Sequence, residues 1–137
     1  MRRRSSSTAA LAVVALVALG SGCGGGSGDN SAAQQTVLTF RFTDGGGAST
    51  VTLTCPGKDT GTKSACAQLA KVAPDVFSPV PKAKVCTQIF GGPEKLAVSG
   101  HYDNTIVSAG LSRENGCEID RWDMIAPVLK ALALVGP

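Results

Sequence analysis

Five cysteines are the residues of this 137-residue chain best suited to chemistry, and their spacing decides which chemistry that is. Cys23, Cys55, Cys66, Cys86 and Cys117 form no C-x-x-C pair, so a structural zinc site is not indicated. The single histidine, His101, lies in a run that alternates as a strand. A lone strand histidine is more often packed or at the surface than a general base, and no nucleophile setting accompanies it. Gly57-Lys58-Asp59 and Gly61-Thr62-Lys63-Ser64 superficially resemble a phosphate loop. Neither places Gly, Lys and Ser/Thr consecutively, so neither supplies the cradle. Glu118, Asp120 and Asp123 read as charge near a helix N-terminus, where it is stabilising. These residue types point to a binding module with no cofactor and no metal, not to an enzyme.

The cysteine count falls into place once the N-terminus is considered. Met1-Arg2-Arg3-Arg4 is basic, and Ala9 to Leu19 is an unbroken apolar run, shorter than the ~20 residues that span a bilayer and flanked as a signal-peptide core should be. Gly20-Ser21-Gly22 supplies small residues for cleavage. Cys23 directly after them resembles the lipidated cysteine of a bacterial lipoprotein signal. The polar, glycine-rich stretch that follows suits a flexible tether. Residues 1–22 are therefore expected to be a lipoprotein-type signal peptide, 23–35 a lipidated Cys23 with its linker, and 36–137 one domain. The destination is the extracellular face of the cell membrane, or secretion. Setting Cys23 aside leaves four cysteines, an even set that reads as two disulfides in an exported chain. Of three pairings, sequence neighbours are the simplest: Cys55–Cys66 and Cys86–Cys117, contributing roughly 3 and 4 kcal/mol by loop-closure entropy. Without Arg2, Arg3 and Arg4, ten of the thirteen basic residues remain against ten acidic ones. A balanced surface with no basic run argues against nucleic acid.

The elements that must position these residues are legible as periodicity. Leu38, Phe40 and Phe42 alternate with Thr39 and Arg41, a half-buried strand. Asp44-Gly45-Gly46-Gly47 turns the chain, and Thr50 to Thr54 alternates again to complete a hairpin. Pro56 to Thr62 reads as loop. Ser64 can cap a short helix carrying Cys66, Leu69, Ala70 and Ala73 on one side, ended by Pro74. Ser78-Pro79-Val80-Pro81 cannot be a helix or a central strand. Leu96, Val98, Gly100 and Tyr102 form a third strand, Asp103-Asn104 a tight turn, and Thr105, Val107, Ala109 and Leu111 a return strand. Ile119, Trp122 and Ile125 then recur at helical spacing up to Pro127. Strands, helix, strands, helix without a βαβ rhythm imply an α+β domain with an antiparallel sheet.

Val85-Cys86-Thr87-Gln88-Ile89-Phe90-Gly91-Gly92-Pro93, followed by Arg113-Glu114-Asn115-Gly116-Cys117-Glu118-Ile119, resembles the two cysteine-centred motifs of the subtilisin-inhibitor-like family, secreted bacterial serine protease inhibitors. The resemblance covers roughly Val37 to Leu129. It implies a five-stranded antiparallel sheet with two helices, the pairing Cys55–Cys66 and Cys86–Cys117, and a homodimer through the sheet. It also implies a substrate-like reactive loop of Thr87, Gln88, Ile89 and Phe90, with the scissile bond at Gln88–Ile89. Asn115 matches the family's loop-bracing asparagine, expected to donate side-chain hydrogen bonds to loop carbonyls. The implied partner is a subtilisin-like or trypsin-like serine protease. A protease binds its substrate as an extended strand, and a loop already held in that shape loses little entropy on docking. Such interfaces bury ~1,600 Å² in all. The alternative keeps the scaffold without inhibition: an envelope-tethered interaction module in which Gln88, with Gln34 and Gln35, serves as a transglutaminase substrate.

Overall fold

The computed structural model describes residues 35–72 and 74–136. The expected signal peptide, Cys23 and nearly all of the expected linker lie outside the described residues, as does Ala73.

Alternation of apolar and polar side chains builds the sheet. Strand β1 (Thr36–Thr43) buries Leu38, Phe40 and Phe42 on one face. It pairs antiparallel with β2 (Ala48–Cys55), Leu38 opposite Leu53 and Phe40 opposite Val51. The intervening turn is held by Asp44 Oδ1, which accepts from the backbone N–H of Gly46 and of Gly47, both at 2.9 Å. Those two bonds, the Gly46 one first, hold the Asp44 carboxyl below its usual range. On the other side of β1 lies β3 (Lys95–Tyr102), antiparallel, and β3 in turn pairs with β4 (Thr105–Ser112) through the Asp103-Asn104 turn. The strand order is β2-β1-β3-β4.

The sheet therefore has four strands, not the five that the resemblance implies. The sequence itself contains only four alternating runs. The stretch between the first helix and β3 carries Pro79, Pro81 and Pro93, which have no N–H to give to a ladder. It stays outside the sheet.

Helix α1 (Thr60–Leu69) begins earlier than Ser64. Asp59 is its N-cap. Its Oδ1 accepts from Thr62 N at 2.9 Å, while Thr62 Oγ1 accepts from Asp59 N at 3.2 Å, a reciprocal capping box that starts the helix in a stretch of weak helix formers. The Thr62 backbone N–H is the largest cause holding the Asp59 carboxyl below its usual range. The contribution of this cap is complete above the unfolded carboxylate's range and is lost as pH falls through the lower folded value. The helix closes at Leu69 with Ala70 as C-cap, before Pro74, which instead opens a short 3-10 helix, Pro74–Phe77.

Helix α2 (Gly116–Ala131) runs past Pro127 rather than stopping there. Pro127 and the residue one turn earlier, Asp123, are both exposed, so the carbonyl deprived of an N–H partner faces water. Ile125, Val128 and Leu129 are fully buried on the opposite side and hold the last turn. Both helices cover one face of the sheet. Trp122 of α2 lies against Phe42 with ring centroids 6.2 Å apart, and Phe77 meets Tyr102 at 5.9 Å.

A buried arginine ties these layers together. Arg121, 7% exposed, donates through Nε and Nη2 to the Val76 carbonyl at 3.2 and 2.8 Å, and through Nη1 to Gly110 O at 3.4 Å. Nη1 also pairs with Glu118 Oε2 at 2.7 Å. One guanidinium thus pins the 3-10 helix and β4 to α2. Replacement by Arg121→Ala leaves a largely buried carboxylate and a carbonyl without partners and is expected to cost about 3–5 kcal/mol. Arg121→Lys is expected to recover little, because a single ammonium cannot reproduce the fork. Urea denaturation with an unchanged slope checks both.

Candidate functional site

Between the 3-10 helix and β3 the chain runs from Ser78 to Glu94 without regular structure. Irregular segments of this length are uncommon in compact domains, and this one is fastened at closely spaced points to the start of α2 and to Arg113 just before it. Cys86 is bonded to Cys117, with Cα atoms 5.4 Å apart, and Cys117 is buried as the second residue of the helix. The Thr87 carbonyl accepts from Gly116 N at 3.0 Å, and Gly91 N donates to the Arg113 carbonyl at 2.7 Å. The second bridge, Cys55–Cys66, fastens the end of β2 to α1. Both pairings are the sequence-neighbour ones, and two such bridges mark an exported protein of an oxidising compartment.

The bonds at Thr87 and Gly91 leave an arch of Gln88, Ile89 and Phe90. Among the described residues, no backbone group of these three takes part in a main-chain hydrogen bond. Their side chains point away from the core: Ile89 is 59% and Phe90 67% exposed, and Val85, just before the bridge, is 95% exposed. Gln88 is exposed as well, its Nε2 donating to the Cys86 carbonyl at 3.3 Å. Thr87, Gln88, Ile89 and Phe90, the residues singled out from the sequence, are thus brought together on one arch beside the bridge. Chemically the arch offers unpaired peptide groups and apolar side chains to any partner able to pair with an extended strand.

Asn115 is placed differently from the expectation. It sits at the N-cap of α2, its Oδ1 accepting from Glu118 N at 3.1 Å, and among the described residues its amide donates to no loop carbonyl. The bracing bonds come from the main chain on either side of it, Gly116 N and Arg113 O. Asn115 fixes where α2 starts and hence where the Gly116 N–H points.

Sequence reasoning missed Gly116 and Arg113 as loop supports, because main-chain donors and acceptors leave no mark on residue type. A signal existed at Gly116: it stands directly after a capping asparagine, and any Cβ there would collide with the Thr87 side chain. Gly92 has φ of +140°, a conformation that glycine adopts without cost, and it bends the chain into β3. Beneath it Glu94 Oε1 pairs with Arg113 Nη1 at 3.3 Å, so the side chain of Arg113 steadies the same foot of the arch that its carbonyl holds.

The other chemistry-bearing residues lie elsewhere. His101 is exposed on β3, opposite Val37 and Ile106 in register. Glu118 is engaged by Arg121, and Asp120 and Asp123 are exposed along α2. Among the described residues no group of three metal-ligating side chains comes together. Compared with protein-family models and with the curated proteins, the chain matches none.

The bridge to Cys117 closes a longer loop, 31 residues apart in sequence, than the one to Cys66, 11 apart. Removing it in a Cys86→Ser, Cys117→Ser double variant is expected to lower the unfolding free energy by roughly 4 kcal/mol. Removing Cys55 and Cys66 is expected to cost roughly 3 kcal/mol. Chemical denaturation of the two variants checks the order.

Proposed function

We propose that this chain is a serine protease inhibitor of the cell envelope, offering the Gln88–Ile89 peptide bond to a subtilisin-like or trypsin-like protease as a rigid imitation of substrate. The observation that carries the reading is the arch: three consecutive exposed residues with unpaired peptide groups, held at one foot to the start of α2 and at the other to Arg113, just before that helix. An enzyme that binds substrate as an added strand needs free main-chain groups and an exposed side chain for its primary pocket. The entropy of ordering them is already spent during folding, which raises affinity.

The two feet also matter once the bond is cut. The acyl side, ending at Gln88, remains attached through Cys86–Cys117. The amine side, beginning at Ile89, remains attached two residues on, where Gly91 N meets Arg113 O. Neither new terminus can diffuse far, so resealing competes with hydrolysis. In this reading the signal-like residues 1–22 are removed, Cys23 carries the lipid, and residues 23–35 tether the domain outside the membrane. A second copy would sit on the uncovered sheet face, which Thr39, Thr52, Ala97 and Ser99 share with Arg41, Lys95, His101 and Ile106.

One observation favours a second reading. The Gln88 carboxamide is exposed on the arch, with Ile89 and Phe90 beside it, so it is accessible to a transglutaminase. In that case the scaffold is a non-inhibitory, envelope-tethered interaction module, cross-linked through Gln88, Gln34 or Gln35.

Titration of several subtilisin-like and trypsin-like proteases with the purified protein separates the two. Inhibition predicts stoichiometric loss of activity of at least one protease while the inhibitor stays largely intact. Rapid degradation, with no protease lost, would remove the inhibitor reading.

A further inference from the structure

The arch has one side chain that is both free to enter a partner's pocket and polar. Cys86 is committed to the bridge. Thr87 leans on the start of α2, close enough that a Cβ on Gly116 would strike it. Gln88 is exposed, and its one hydrogen bond, Nε2 to Cys86 O at 3.3 Å, is to its own loop. The neighbours Val85, Ile89 and Phe90 are apolar and more than half exposed. No charged residue stands between Val85 and Pro93.

We propose that the partner is a serine protease whose primary pocket is polar and uncharged, holding the Gln88 carboxamide through at least one donor and one acceptor, with apolar surface on both sides of it. This rests on the reading of Gln88–Ile89 as the bond presented to the protease. A carboxamide has an accepting oxygen and two N–H donors. In an apolar pocket these go unpaired, a loss of roughly 5- to 150-fold in affinity. In a pocket ending in a carboxylate that selects Lys or Arg, the neutral amide leaves a buried charge without its counter-ion, which is worse. A pocket built to hydrogen-bond the amide satisfies both ends and discriminates strongly against side chains that cannot. On docking, Nε2 exchanges the Cys86 carbonyl for the pocket's acceptor. The exchange also frees the Cys86 carbonyl to pair with the main chain of the protease.

The test measures inhibition constants of the full chain and of Gln88→Leu and Gln88→Arg against three serine proteases. One cleaves after large apolar residues, one after Lys or Arg, and one after uncharged polar residues including glutamine. The native chain is expected to inhibit the third most tightly. Gln88→Leu is expected to lose at least tenfold there and gain at least tenfold on the first, and Gln88→Arg to gain on the second. Native inhibition of the first or second as tight as that of the third would overturn the polar-pocket partner. So would inhibition by both variants with none by the native chain, an outcome that leaves the scaffold intact as a protease-binding loop. If no form inhibits any of the three, the loop is not a protease ligand and both inferences fall together.

Discussion

The covalent bond between Cys86 and Cys117 joins a segment that belongs to no strand or helix to the second residue of α2. The remaining contacts of the arch depend on it. Once Cys86 lies against the start of the helix, the Thr87 carbonyl is brought to Gly116 N and, just past the exposed stretch, Gly91 N to Arg113 O. Rigidity is passed outward in order. Trp122, Ile125, Val128 and Leu129 seat α2 on the sheet, and Arg121 fastens it to the 3-10 helix. Asn115 sets the first turn, and Cys117 carries that position across to Cys86.

Exposed Ile89 and Phe90 gain nothing from burial in the folded chain, and peptide groups left without partners gain nothing from the sheet. Fixing each residue of such an arch costs about 1–2 kcal/mol of conformational entropy. The fold meets that cost with a bridge and two main-chain hydrogen bonds. A partner pairing with the arch therefore finds the ordering already done. This is the physical difference between a loop that binds tightly and the same residues in a flexible peptide.

Much of this was legible in the sequence where burial enforces a period. Leu38, Phe40 and Phe42, and likewise Leu96 and Val98, alternate because one face of the sheet is dry, and those strands stand where the alternation puts them. The start of α1 was not legible. Thr60, Gly61 and Thr62 are weak helix formers, and only the reciprocal bonds between Asp59 and Thr62 make them helical. The end of α2 was hidden by Pro127, which ends helices when its missing bond is buried but not when, as here, that side faces water. The fifth strand came from the resemblance alone, and the proline-bearing segment offers no ladder to form it. At the site, the choice of Thr87, Gln88, Ile89 and Phe90 came from the resemblance, since composition alone reads Gly91-Gly92-Pro93 as the turn of an ordinary surface connection. The bracing of the arch was not legible, since Gly116 and Arg113 act through backbone atoms that every residue possesses.

Gln88, Ile89 and Phe90 are held in one shape in the free protein although their side chains are largely in solvent. Backbone amide order parameters from nitrogen-15 relaxation measure this directly. With the Cys86–Cys117 bond intact, values of about 0.85 across residues 87–91, equal to those of the strands, are expected. Values below about 0.6 there, with the strands still rigid, would contradict it and leave an ordinary surface loop.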